Sequence, residues 1–210
     1  MLFRSFGYQW RKDGNGISGA TNSAYTLNAL KVADAGNYSV VVNNAYGSVT
    51  SSIVTLTVNK ATPTISVAPT ASGITYGQTL ANSTLSGGTA SVGGSFAFTS
   101  PSTAPNAGTM SQGVTFTPTD TANYNTATTT VNVTVAKAAA TFTLAGLNQA
   151  YDGTAKNVVV TLSPSTLPTT VTYNGSTSVP TNAGSYTVVA TVNDANYEGS
   201  ATDTLVITKI

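Results

Sequence analysis

The sequence predicts an all-β protein made of β-sandwich units joined in tandem, and three observations carry that reading. The stretch Asp34-Ala35-Gly36-Asn37-Tyr38-Ser39-Val40 returns as Asn106-Ala107-Gly108-Thr109-Met110-Ser111 and again as Asn182-Ala183-Gly184-Ser185-Tyr186-Thr187-Val188. Each copy is an acid or amide, then Ala-Gly, one spacer and a large side chain that opens a strand-like run. Threonine is the commonest residue, beside much Ser, Asn, Val and Gly, the mixture of β-branched strand formers and turn formers that suits sheets. Matching residues recur roughly 72–77 positions apart, a sandwich-sized period too long for the common solenoid repeats.

Composition bounds the function. Charged residues make up 7% of the chain and the net charge is +1, against about 25% charged in an ordinary soluble domain. With no basic or acidic block, electrostatics give no reason to expect nucleic acid or an anionic membrane as partner. Disorder is also a poor reading, because 40% of residues are hydrophobic and ten are Tyr. There is no Cys and no His, which removes disulfides, thiolate chemistry, the commonest metal ligand and the usual general base. No apolar run approaches the ~20 residues of a membrane span. Met1-Leu2-Phe3-Arg4-Ser5-Phe6 lacks the apolar region of ~7–15 residues of a secretion signal.

In the first segment, residues 1–59, Tyr8-Gln9-Trp10-Arg11-Lys12-Asp13-Gly14 reads as a strand running into a turn. Tyr8 and Trp10 share a face because strand side chains alternate. Tyr25-Thr26-Leu27 is expected to be a second strand, closed by Leu30. The corner follows, then a strand with Tyr38, Val40 and Val42 on one face, and a last one over Val54–Val58.

This segment resembles the immunoglobulin superfamily. The resemblance rests on Trp10, on Leu27 and on Asp34-x-Gly36-x-Tyr38-x-Val40. It implies that Trp10 packs in a core and that the Tyr38 hydroxyl bonds back to the backbone as a tyrosine corner. Val40 stands where the family usually has its second cysteine. Only nine residues precede Trp10, whereas a complete domain has about 100 residues with two strands ahead of that Trp. The first domain is therefore expected to be incomplete, a fragment that leaves one side of Trp10 and Val40 uncovered.

The second segment, residues 60–136, opens at Lys60-Ala61-Thr62-Pro63. Its expected strands are 64–67, 74–80, 95–99, 113–117 and 128–135. Met110 stands where the other corners have Tyr, expected to fill the same core space without the hydroxyl. The third segment, residues 137–210, restarts at Lys137-Ala138-Ala139-Ala140-Thr141 and closes on Leu205-Val206-Ile207-Thr208-Lys209.

Both later segments resemble the MBG domain, a mostly bacterial immunoglobulin-like repeat. The shared residues are Tyr76-Gly77, Tyr151-Asp152-Gly153-Thr154, the Asn-Ala-Gly corners at 106–108 and 182–184, and Ala-Asn-Tyr at 122–124 and 195–197. The resemblance implies a bacterial, exported, multi-domain surface protein, and it implies no particular ligand. The joints Asn59–Thr62 and Ala136–Thr141 are short and not Gly/Ser-rich, so an extended string of domains with limited bending is expected.

Candidate sites were weighed against plainer roles. Gly14-x-Gly16-x-x-Gly19 matches a dinucleotide fingerprint by letter, but the motif needs a helix after it, and a polar loop follows. The seven acids, Asp13, Asp34, Asp120, Asp152, Asp194, Glu198 and Asp203, are too scattered for the six to eight oxygens of a calcium site; Asp194 with Glu198 is the best local pair. Lys60, Lys137 and Lys209 recur at segment boundaries, where an isopeptide cross-link to Asn would require burial. Tyr46, Tyr124 and Tyr197 recur before the last strand, where an exposed ring could stack on a sugar or pack at a sandwich edge.

The sequence thus assigns no catalytic, cofactor-binding or metal-binding residue. It leads to a non-catalytic stalk or adhesion segment of a large bacterial surface or secreted protein. That places it outside the cell or on its surface, with a protein or glycan partner, no nucleic acid and no membrane insertion in this segment. The alternatives are a glycan- or protein-binding module, or accessory spacer domains of a secreted hydrolase.

Overall fold

The computed structural model describes residues 5–209, so the N-terminal run Met1–Arg4 read for a leader lies outside the described residues. The chain is nearly all β, 51% strand and 3% helix. It forms two compact units. One comprises Met1–Ser66, Ala90–Ser95 and Phe116–Thr128; the other comprises Val67–Thr89, Phe96–Thr115 and Thr129–Ile210.

The first unit contains an antiparallel sheet in the order Asn15–Gly16, Gly7–Lys12, Gly36–Asn44, Gly47–Thr50, with Val54–Leu56 also pairing Gly36–Asn44. Asp13 and Gly14 make the first turn, both with positive φ (50° and 81°), while Lys12 pairs with Asn15. That is the Asp-Gly two-residue hairpin whose twist matches the strands it joins. In the register Trp10 faces Val40, Tyr8 faces Val42 and Lys12 faces Tyr38, so the pleat places these six side chains on one face as expected.

The expected strand at Tyr25-Thr26-Leu27 does not form; these residues run as an irregular segment. A strand is a pairing, not a property of one stretch, and among the described residues no strand pairs with this one.

A four-stranded sheet orders Gly94–Phe98, Gly108–Pro118, Ala127–Ala136 and Ile74–Thr75. Within the second unit, Ile74, Leu80, Phe98, Val114, Val131, Val133 and Val135 form one buried cluster. The strand expected over 74–80 ends at Thr75, because Gly77 turns the chain at φ 91° and Leu80–Asn82 is a 3-10 turn. Asn82 Oδ1 accepts from Thr79 N at its start. Met110 does not fill core space as expected. It shares the inward parity of Val114 but sits at the strand's open end, 37% exposed.

In the third segment Asn148–Ala150, Ser200–Thr208, Gly184–Val192 and Thr169–Tyr173 make a sheet, and Thr141–Ala145 pairs Val159–Ser163. Tyr173, Val188, Leu205 and Ile207 form one buried cluster, and Ala140, Leu162 and Val192 another. In both later segments a short strand lies parallel to the last long one: Ile74 beside Val135, and Asn148 beside Val206. Among the described residues, nothing pairs in this way with Val54–Leu56.

Candidate functional site

The corner is the local device that shapes the first unit. Val32–Asp34 is a 3-10 turn, and Asp34 Oδ2 accepts from Lys31 N at 2.7 Å. Gly36 then passes close to the first hairpin, where a Cβ would lie 2.8 Å from the side-chain ends Asp13 Oδ2 and Lys12 Cε, and its φ of 155° favours glycine. Asp13 Oδ1 accepts from Asn37 N at 2.9 Å. The Tyr38 hydroxyl donates to Asp34 O at 2.7 Å, and the Tyr186 hydroxyl donates to Asn182 O at 3.0 Å. Two of the three repeats therefore close as tyrosine corners. Burial, with the neighbouring Asp34, raises the Tyr38 phenol above its ordinary range.

The sheet that this corner anchors has an open apolar face. Trp10, Tyr25, Leu27, Tyr38, Val40, Val54 and Leu56, with Ser39, Ser51 and Ser52, line a groove of about 450 Å³. Trp10 and Tyr25 have ring centroids 6.0 Å apart, and Tyr25 and Tyr38 6.4 Å. The Trp10 indole N–H donates to Asn22 O at 3.0 Å, so its polar edge is satisfied while its ring faces the groove. Among the described residues before Asn59, Ala20 is the one buried hydrophobic side chain. Trp10 and Val40, which the family resemblance places in a core, are only half-buried. The sheet therefore presents an apolar groove that is open to solvent.

A second recurring construction joins the segments. Within the first unit, Ala61 lies parallel to Tyr124, Ala61 N donates to Asn123 O and Asn125 N donates to Ala61 O. Lys60 Nζ donates to Thr121 O at 2.7 Å, and Asn123 Oδ1 accepts from Val32 N at 2.8 Å. The second unit repeats the pattern. Ala138 lies parallel to Tyr197, and Ala138 N donates to Asn196 O. Lys137 Nζ donates to Asp194 O at 2.6 Å, and Asn196 Oδ1 accepts from Ala107 N at 2.9 Å. In each case the Asn of an Ala-Asn-Tyr loop reaches a backbone N–H at or just before the corner of the preceding segment. Here Tyr76 and Tyr197 also meet edge to face at 5.3 Å, the offset geometry aromatic quadrupoles favour.

The sequence candidates fall into place around these features. Gly14 serves the hairpin and Gly16 its returning strand; no helix follows Gly19, so the dinucleotide fingerprint is a coincidence of letters. Lys60 and Lys137 are exposed and hold backbone carbonyls, not asparagine side chains. Tyr197 packs its ring against Tyr76 and Tyr124 pairs through its backbone with Ala61, whereas Tyr46 stands at a hairpin tip, 80% exposed. Each acid near a loop serves that loop: Asp120 Oδ2 accepts from Asn123 Nδ2, which lowers its carboxyl pKa, and Asp194 Oδ1 accepts from the amides of Asn196 and Tyr197. Among the described residues no three acids come together.

Sequence reading missed Lys156. It is 9% exposed, and its ammonium lies 2.5 Å from Asp152 Oδ2. Asp152 Oδ1 also accepts from Thr154 N and Thr154 Oγ1. The Lys156 contact, then the Thr154 bonds, hold the Asp152 carboxyl far below its usual range. The stabilisation this gives is complete above the ordinary carboxylate pKa of about 3.9 and is lost as pH falls through the depressed folded value. Asp152→Asn should lower the melting midpoint by several degrees at pH 7, since it leaves a buried ammonium without its counter-charge. It should also flatten the acid limb of the midpoint below pH 4. Differential scanning fluorimetry from pH 7 to pH 2 checks both, and parallel curves for the two proteins would contradict the assignment.

Comparison with known proteins agrees with part of this picture. Residues 140–210 match the family model of the MBG domain, which covers the third segment. No curated protein matches the chain. Among solved structures the chain is similar to Sidekick-1 immunoglobulin domains 1–4, at 15% identity over 96% of this chain and 67% of that one, with a TM-score of 0.37. It is similar to extracellular domains 3–5 of Drosophila OTK at 12% identity, covering 99% and 86%, with a TM-score of 0.36. It is likewise similar to an I-band fragment of titin at 13% identity, covering 98% and 88%, with a TM-score of 0.36. No helix among the described residues is long and apolar enough to cross a membrane.

Proposed function

We propose that the chain is a run of three β-sandwich modules, 1–59, 60–136 and 137–210. It serves as a non-catalytic stalk or adhesion segment of a bacterial surface or secreted protein. The observation that carries the reading is the joint built twice from the same parts. A Lys ammonium on a loop carbonyl and a parallel bridge fix the first residues of each later module against its own Ala-Asn-Tyr loop, and the Asn oxygen of that loop ties it to an amide at or just before the preceding module's corner, without a flexible linker. The MBG match over 140–210 supports a surface context, and the Tyr corners and the absence of Cys suit modules stabilised by packing alone.

The test is the size and location of the native polypeptide, read by immunoblot of fractionated source cells with antibody to residues 61–210. The expected result is a surface or secreted band well above the 21.2 kDa of this chain. A cytoplasmic band would overturn the reading.

One observation favours a second reading, a binding module. Phe6 (54% exposed), Tyr46 (80%) and Val49 (67%) border a shallow groove with Val42 and Asn44. An exposed ring beside polar amides is the arrangement that stacks on sugars. A glycan screen with the native chain and Tyr46→Ala separates the readings: a binder lost in the variant favours the module.

A further inference from the structure

We infer that the face formed by Tyr151, Asn182, Ala183 and Lys209 is a docking surface for one more β-sandwich module that carries an Asp-Ala-Asn-Tyr loop. The inference rests on the tandem reading above and extends it to a groove left open by the described residues. These four residues line a groove of about 640 Å³, and Tyr151 is 40% exposed.

Each has a counterpart one repeat earlier. Tyr151 corresponds to Tyr76, Asn182-Ala183 to Asn106-Ala107, and Lys209 to Lys137. There three of the counterparts have partners. Tyr76 meets the Tyr197 ring, Ala107 N donates to Asn196 Oδ1 and Lys137 Nζ donates to Asp194 O. The same three kinds of group therefore stand ready at the far end of the third segment: a ring edge, a corner amide and an ammonium. The complement they need is a second ring, an amide oxygen and a backbone carbonyl in the order of Asp194, Asn196 and Tyr197.

A second copy of this chain does not offer that complement. Its Asn196 and Asn123 are already bonded to Ala107 and Val32. The occupant is instead a separate module that carries such a loop; joined through as short a link as Lys137-Ala138, its loop and the corner are held together at high effective concentration.

The experiment appends a further copy of residues 139–210 directly after Ile210 of the full chain, so that Ile210 stands where Ala138 follows Lys137. Its core clusters lie wholly within those residues. Amide hydrogen exchange of Ala183 is compared with and without the appended copy, using Ala107 as internal reference. Ala183 exchange should slow at least about fivefold, the scale of one net hydrogen bond. It should recover when the appended copy carries Asn196→Ala, and partly recover with Tyr151→Ala in the resident segment. Unchanged Ala183 exchange, with Ala107 slow, overturns the docking surface alone. Fast exchange at Ala107 in the unextended chain overturns the joint itself, and with it the tandem reading.

Discussion

Leu205→Ala should remove about 2–5 kcal/mol of stability from the third segment, the range for truncating a fully buried leucine. Leu205 is 0% exposed and packs with Tyr173, Val188 and Ile207 between the paired strands Gly184–Val192 and Ser200–Thr208. Domains of this size hold roughly 0.05–0.15 kcal/mol per residue, so the loss is a large part of what the segment has. Because the joint is a handful of hydrogen bonds and one ring pair, the damage should stay local. In a denaturant series followed by amide spectra, signals from Thr141–Ala145 and Gly184–Val192 should vanish first, while those of Gly36–Asn44 persist. One cooperative transition that takes all strands together would mean that the joints couple the segments far more strongly than their hydrogen bonds imply. It would then be wrong to treat 137–210 as a module with its own stability.

That local self-sufficiency explains which parts of the fold were legible in the sequence. The corner could be read because its requirements are local. Gly36 answers a close approach of Asp13 and Lys12, and Tyr38 and Tyr186 reach a carbonyl four residues back, so spacing alone carries the information. The long strands could be read because alternation marks a buried face, as in Val131, Val133 and Val135. Tyr25–Leu27 shows the limit: its alternation is genuine, but pattern cannot tell whether a partner strand exists.

The joints lie beyond what local pattern reports. Asn123 and Asn196 look like turn residues, yet their oxygens meet amides 91 and 89 positions away. Their repetition in Ala-Asn-Tyr was visible, and their purpose was not. Lys156 was missed for a related reason. Burial of a lone Lys depends on Asp152 and on the backbone of Pro180, which accepts from Lys156 N, and neither is implied by the residues around it.

The largest effect outside the third segment is expected at the uncovered face of the first. The native chain should enhance the emission of an anilinonaphthalene sulfonate dye, because Trp10, Tyr25, Val40, Val54 and Leu56 offer it an apolar groove of about 450 Å³ without unfolding. Trp10 is the single tryptophan of the chain, so energy transfer from its indole locates the bound dye at this face. Val54→Lys should reduce the enhancement several-fold and abolish the transfer, since it sets a charge among the lining residues. Val54 is 66% exposed, so the melting midpoint should hardly move; exposed substitutions usually stay within about 0.5 kcal/mol. Tyr46→Ser, which alters the separate Phe6–Val49 patch, should leave the transfer intact. Supplying a covering sheet, by fusing two added β-strands ahead of Trp10, should bury Trp10 and end dye binding. Dye that binds without quenching Trp10, or binding indifferent to Val54→Lys, would show that the face is not an open half-core. Residues 1–59 would then have to be explained as a finished single-layer sheet.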